Sequence, residues 1–426
     1  MALPAAHALQ ARLMSEPIGA ESVVVVVGAN LAGGRAVEHL RRAGFAGRVV
    51  LIGAERDRPY DRPPLSKKYL RKQVEETKLF LRPAEWYAEH QVELELGVRA
   101  TGLDTKAREV VLEDGRRVRF DRLLIATGAD VIKLRCEGSQ LSGVHYVRTL
   151  DDSRVLREEL RPGRRAVVIG AGVIGAEAAA ACREEGVEVA MLEASPVPLV
   201  RAFGETVGAI YAEVHRAKGV DLRCGVTATA LVGDASGRVS EVVTSTGARI
   251  PCDFVIAGIG VRPNVGWLEG SGVEIEGGVM VDARCETSVP GIYAVGDVAR
   301  WQSGALGRHA WVESVDNAQL GAAAAAANML GEPTIYNPVP FFWSDQYDLK
   351  LQSVGHVGGY DDVVMRGSVA DRKFAAFHVR EGKLGFVVAV NRFKEIGGAK
   401  KLIASGAKVT REQLADESVS LASLAV

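Results

Sequence analysis

Arg165-Ala166-Val167-Val168-Ile169 followed by Gly170-Ala171-Gly172-Val173-Ile174-Gly175 is the stretch whose reading decides the fold. An apolar run enters a turn with three glycines, an Ala-rich segment from Ala176 to Glu185 follows, and Val187 to Leu192 ends at Glu193. The order is strand, tight turn, helix, strand. In such a unit the first Gly makes the turn, the second admits a pyrophosphate close to the backbone, and the third lets the helix pack on the strand. The helix N-terminus presents N–H groups and partial positive charge to phosphate. Glu193 stands where an acid accepts hydrogen bonds from ribose hydroxyls, and a carboxylate there repels a 2′-phosphate. The unit is therefore expected to hold NADH in preference to NADPH.

A second copy lies earlier in the chain. Val23 to Val27 runs into Gly28-Ala29-Asn30-Leu31-Ala32-Gly33, a helix-like stretch follows, and the strand Val49 to Ile52 leads to Glu55. Asn30 replaces the middle glycine, and Asn is the residue after Gly that best tolerates left-handed backbone. With 47 glycines in 426 residues, a bare three-glycine pattern arises on the order of once by chance. The weight comes from strand, helix and acid accompanying it twice. Two dinucleotides in one chain imply electron transfer.

The length allows two to four domains, each able to bury its own core. A chain 47% hydrophobic and 25% charged, with formal net charge −1, is an ordinary globular composition without a global pull toward nucleic acid or anionic membrane. No apolar run reaches the length of a bilayer crossing, and Ala322 to Ala327 reads as a packed helix. Met1 to Ser22 lacks a secretory pattern, Met14 is an alternative start, and the expected location is the cytoplasm.

Cys136, Cys182, Cys224, Cys252 and Cys285 form no CxxC or CxxxxC pair. A redox disulfide just beyond the first unit would fall in Arg58-Pro59-Tyr60-Asp61-Arg62-Pro63-Pro64-Leu65-Ser66-Lys67, which contains no thiol. The cysteines read as small buried apolar residues, and their spacing offers no metal or iron–sulfur site.

Two further segments complete the pattern. Leu123-Leu124-Ile125-Ala126-Thr127-Gly128-Ala129 is a strand ending in a small-residue turn, and Thr287 to Gly296-Asp297 is a strand ending in Gly-Asp. Asp297 is suited to bond the ribityl chain of FAD, or to cap a helix. With these and Pro63-Pro64-Leu65-Ser66-Lys67, Arg148-Thr149-Leu150, Glu313-Ser314, Asn317-Ala318 and Phe342-Trp343-Ser344-Asp345-Gln346-Tyr347, nearly the whole chain resembles the NADH-dependent ferredoxin reductases of the glutathione-reductase superfamily.

That resemblance implies an α/β fold with two Rossmann-like dinucleotide-binding domains, for FAD and NADH, plus a C-terminal α+β domain. The FAD domain is expected in two pieces, 1–129 and 263–335, the NADH domain at 130–262 and the last domain at 336–426. FAD contacts implied are Gly28, Ala29, Asn30, Leu31, Ala32, Gly33, Glu55, Arg62, Lys67, Ala100, Thr127, Gly128, Arg148, Asp297, Val315 and Trp343. Lys67, Glu313 and Trp343 are placed in the flavin environment. For Lys67 the alternative is a surface salt bridge, and for Trp343 core packing. Gly170, Gly172, Val173, Ile174, Gly175, Glu177, Glu193, Arg201 and Gly260 are implied NADH contacts. After Ala129 the family commonly continues Arg-Pro, whereas here Asp130-Val131-Ile132-Lys133 follows, so the linker is altered.

The resemblance also implies a transient electrostatic partner, a two-iron two-sulfur ferredoxin that supplies an oxygenase, and a monomer or weak dimer. The rival readings are a redox-signalling flavoprotein similar to apoptosis-inducing factor and an NADH oxidase or quinone reductase. Arg366, Arg372, Lys373, Arg392, Lys394, Lys400 and Lys401 form a docking face for an acidic ferredoxin, or else a solvated mixed-charge surface.

Overall fold

The structure, a computed structural model, describes residues 18–304 and 308–425. The chain divides into two compact units, one of Met1–Asp61, Leu79–Asp130 and Arg262–Pro338, the other of Arg62–Lys78, Val131–Val261 and Val339–Val426.

In the first unit five parallel strands lie in the order Ile292–Ala294, Arg122–Ile125, Val23–Val27, Arg48–Gly53, Val92–Leu96. Val24 to Val27 and Val49 to Ile52 are buried throughout, as strands covered on both faces must be. Strand order reverses at Val23–Val27, so the crevice at its carboxyl end is the place where such a sheet takes a ligand. The helix Leu31–Arg42 begins there. Ala322, Ala324, Ala325 and Ala326, on the helix Val315–Met329, join this unit's apolar core.

The second unit repeats the plan. Its parallel sheet runs Asp221–Cys224, Glu188–Glu193, Arg165–Ile169, Phe254–Ala257, Val144–His145. The reversal again falls at the strand entering the glycine turn, and the helix Val173–Glu184 follows.

The same unit holds an antiparallel sheet in the order Phe341–Gln346, Leu349–Gly355, Lys383–Val390, Lys373–Arg380, Asp362–Ser368. Alternate residues leave its two faces, and both faces are apolar. Ala375, Phe377, Val387 and Ala389 pack with Ala399 and Leu402 of the helix Lys394–Ser405. Phe374, Ala376, Phe386, Val388 and Val390 pack with Ala176, Phe203, Val207, Tyr211 and Val214, which belong to the helices Val173–Glu184 and Val200–Ala217. Each large side chain buried there contributes about 1.5–3 kcal/mol. Residues 339–426, nearly all of the segment expected as the C-terminal α+β domain, share a compact unit with most of the NADH segment, because one sheet face is completed by that segment's helices.

No helix among the described residues is long and apolar enough to cross a membrane.

Candidate functional site: two glycine turns and a buried carboxylate

Gly28 has φ +117°, and a Cβ on it would lie 2.1 Å from the Ala126 carbonyl oxygen. Gly170 repeats this with φ +95° and 2.4 Å to the Gly258 carbonyl oxygen. Only glycine fits either turn. A Cβ on Gly33 would lie 2.0 Å from Gly28 O, and one on Gly175 the same 2.0 Å from Gly170 O, so the third glycine is what lets each helix close on its strand. Neither helix has an acidic residue in its first turn, which leaves both N-termini suited to phosphate.

The middle position behaves differently from the expectation built on left-handed backbone. Asn30 has φ −126° and Gly172 φ −69°, conformations open to any residue. The nearest atom to a Cβ on Gly172 is 4.0 Å away, so the position demands room rather than a special φ, and Asn is accommodated for that reason.

Around the first turn, Ala29 and Gly53 meet so closely that a Cβ on Gly53 would lie 2.5 Å from that of Ala29. Tyr60 donates to Glu55 Oε2 at 2.5 Å and fixes the acid ending the second strand. Thr127 donates to the Asn264 carbonyl at 2.9 Å, and Asn264 N–H returns a bond to Gly128 O at 2.9 Å. A Cβ on Gly296 would stand 3.4 Å from Ala32 Cβ, which sets the half-buried Asp297 beside the start of the helix Leu31–Arg42. Asp297 does not cap a long helix, since only the short 3-10 turn Gly296–Val298 contains it. Val315 opens a helix capped by Ser314, whose Oγ accepts from Asn317 N at 3.1 Å, and Glu313 just before it is exposed. Leu31 and Ala100 are buried.

Around the second turn, Glu193 Oε2 accepts from Ala171 N at 2.7 Å and Oε1 from Ser195 N at 2.8 Å. The acid is thereby locked onto the glycine turn. Leu199 N–H donates to Ala171 O at 2.9 Å and anchors the start of the helix Val200–Ala217, which carries the exposed Arg201. Ile174 is 43% exposed at the helix start, Val173 precedes it in the first turn, and Gly260 O accepts from Ile132 N at 2.9 Å. In the altered linker Lys133 places its ammonium 3.8 Å from the centroid of the Tyr146 ring.

Arg62, Lys67, Arg148 and Trp343, implied FAD contacts, belong to the second unit. Arg62 donates to the Arg148 carbonyl, while Arg148 and Thr149 N–H groups bond Asp152 Oδ2 at 3.1 and 2.8 Å. Trp343 is half-buried and stacks on Phe341 at 6.1 Å between centroids. Lys67 Nζ lies 2.9 Å from Glu177 Oε1, with side chains 16% and 1% exposed. Lys67 is in a salt bridge, but a largely buried one.

Glu177, expected among the NADH contacts, has its carboxylate engaged within the protein. Its Oε2 accepts from Ser66 at 2.6 Å and its Oε1 from Ser344 at 2.6 Å as well as from Lys67. The carboxylate is spent inside the protein. Sequence reading missed the pairing of Ser66 and Ser344 with Glu177, although each lies inside a quoted motif, because it joins positions more than 100 residues apart.

All five cysteines are free, and burial pushes the Cys182 and Cys252 thiols up to about 12 and that of Cys285 higher still. Thiolate chemistry has no foothold at those three. No group of His, Cys, Asp or Glu suited to a metal occurs among the described residues.

Two same-handed glycine turns, each at the reversal of a parallel sheet and one locked to an acid, define an oxidoreductase of the two-dinucleotide class. Residues 22–322 match the family model described as pyridine nucleotide-disulphide oxidoreductase, and residues 341–425 match the reductase C-terminal model. The chain belongs to the pyridine nucleotide-disulphide oxidoreductase family and carries its reductase C-terminal domain. The ferredoxin–NAD(+) reductase component of the anthranilate 1,2-dioxygenase system of Burkholderia cepacia is 39% identical over 401 residues, 93% of this chain and 98% of its own. Putidaredoxin reductase CamA of Pseudomonas putida is 35% identical over 408 residues, 95% of this chain and 97% of its own. Among solved structures, the covalent putidaredoxin reductase–putidaredoxin complex superposes with TM-score 0.92 at 35% identity, covering 95% of this chain and 98% of that one. The ferredoxin reductase for the CYP199A2 system from Rhodopseudomonas palustris gives 0.91 at 38% identity, with 95% and 100% covered.

Proposed function

We infer that this protein is an FAD-containing, NADH-dependent ferredoxin reductase. Electrons from NADH pass singly to a two-iron two-sulfur ferredoxin that supplies an oxygenase. The observation that carries this reading is the repeated turn, because a chain with two such sites and Glu193 locked to the second is built for one pyridine nucleotide and one further dinucleotide. FAD, when bound, supplies hydride acceptance and one-electron release, so no nucleophile or acid–base residue of the chain is required.

The chain's own residues bind, orient and set charge. Gly28 to Gly33 and Asp297 hold the FAD, and Gly170 to Gly175 the NADH pyrophosphate. Glu193 receives the adenosine ribose and turns away a 2′-phosphate. Lys67, steadied by Glu177, is the cation offered to the flavin ring, where positive charge favours the reduced, anionic form. Trp343 and Glu313 complete the flavin surroundings. The protein works in the cytoplasm as a monomer or weak dimer.

The test is turnover of the purified yellow protein with NADH, using ferricyanide, a two-iron two-sulfur ferredoxin, or oxygen alone as acceptor. Rapid ferredoxin reduction with slow oxygen consumption is expected. Rapid NADH oxidation by oxygen, unaffected by ferredoxin, would favour an oxidase.

A further inference from the structure

The Glu177 carboxylate is the inner end of a longer hydrogen-bonded chain. Ser344 Oγ is 2.6 Å from Glu177 Oε1, Gln346 Nε2 is 3.3 Å from Ser344 Oγ, His215 Nε2 is 3.0 Å from Gln346 Oε1, and Tyr347 Oη is 3.0 Å from His215 Nδ1. Ser344 and Gln346 are two apart on one strand and share a face. His215 comes from the helix Val200–Ala217 and is 0% exposed, while Ser344 and Gln346 are 0% and 1% exposed. The outer end is wet, since Tyr347 borders a surface cavity of about 270 Å³ lined also by Arg183, Glu184, Lys218 and Asp348.

The direction of every bond follows from the inner end. Glu177 accepts from Lys67, so it is an acceptor toward Ser344 as well, and the Ser344 hydroxyl must donate to it. Ser344 Oγ then accepts from the Gln346 amide nitrogen, which turns the Gln346 carbonyl toward His215. His215 must donate from Nε2, leaving Nδ1 to accept from Tyr347. Burial holds His215 down to about 4 against the hydrogen bond to Gln346, which favours its charged form, in keeping with a neutral ring. The carboxamide in the middle carries no proton onward without becoming an imidic acid, so what travels along the chain is polarity.

We propose that Tyr347, His215, Gln346 and Ser344 are positioning residues, a one-way series of donors that fixes Glu177 and through it the place and charge of Lys67. This rests on the reading of Lys67 as the cation offered to the flavin. Hydrogen bonds in series polarise one another, so a break far from Lys67 is felt there.

Two measurements on the FAD-loaded, full-length protein test it. The first is the 15N spectrum of His215, where the neutral Nε2–H tautomer is expected; the Nδ1–H tautomer or an imidazolium overturns the proposal. The second is the flavin midpoint potential in Gln346→Met, Lys67→Met and the double variant. Gln346→Met is expected to shift the potential in the same direction as Lys67→Met and by less, and to add nothing in the double variant. An unshifted Gln346→Met, or one additive with Lys67→Met, overturns the proposal. If Lys67→Met itself leaves the potential unchanged, the reading of Lys67 fails instead and the His215 tautomer decides the chain alone, as it does if Gln346→Met fails to fold.

Discussion

Arg366 Nη1 lies 3.1 Å from Glu395 Oε2, and the two side chains are 1% and 6% exposed. Arg366 also donates to the carbonyls of Leu414, Gln413 and Val419, so it ties the C-terminal segment to the sheet. Arg392 is 9% exposed and paired with Glu395 and Glu417. Neither arginine belongs to a docking face, which corrects the expectation drawn from the clustering of basic residues in sequence. Arg366→Leu leaves Glu395 buried without a full partner and is expected to cost about 3–5 kcal/mol, read as a lower urea midpoint. A change below 1 kcal/mol would contradict this account.

The exposed lysines remain. Lys394 and Lys401 are open to solvent, and Lys400 is half-buried on the same helix. Ferredoxin reduction is expected to fall steeply with salt, since exposed charges are screened beyond about 8 Å at 0.15 M. The double variant Lys400→Glu, Lys401→Glu is expected to slow that reaction while NADH-to-ferricyanide turnover holds. Equal losses in both assays would remove this helix as a docking site.

In the proposed reading Glu193 sets nucleotide choice. Glu193→Ala removes a charged acceptor worth about 1.5–3 kcal/mol, so kcat/KM for NADH is expected to drop about 10- to 100-fold. Adding an Arg beside it is expected to raise NADPH use. A wild type that already uses both nucleotides equally would refute the role of Glu193.

Turnover is expected to survive replacement of all five cysteines with Ala or Ser. A folded, FAD-loaded variant that accepts hydride and passes nothing on would show that a thiol takes part.

Acid is expected to weaken the second unit. Hydrogen bonding from Arg154 holds Glu76 at about 2. Burial alone would raise Glu159, but His145, Arg238 and Arg164 outweigh it and hold that carboxyl at about 2 as well. Both folded values lie below the ordinary 4.5, so their stabilisation is full above that pH and fades as pH falls toward 2. The loss is a few kcal/mol at most, discounted because Glu76 is partly exposed. Denaturant midpoints from pH 6 to 3 are expected to fall less in Glu159→Gln than in the parent.

Much of this was legible in the sequence, and the limit of legibility has a physical form. Gly28, Gly33, Gly170, Gly175 and Glu193 carry signals within one βαβ unit, where local spacing dictates geometry. The bonds of Glu177 to Ser66 and Ser344 are set by packing between segments more than 100 residues apart, and no local pattern encodes them. Arg366 and Arg392 look like surface charges until the fold folds the C-terminal segment over them. The covering of the C-terminal sheet's second face was hidden for the same reason, since a strand apolar on both faces does not say what packs on the second.

That second face has a consequence for how the protein is made. The helices Val173–Glu184 and Val200–Ala217 leave the ribosome long before the strands of 341–390 that cover them. The first unit waits too, since its sheet takes Ile292–Ala294 from beyond the whole second glycine turn. Each unit therefore closes late, and the helices of the second carry open apolar surface until the strands of 341–390 follow, so the nascent chain is expected to lean on chaperone shelter over that interval.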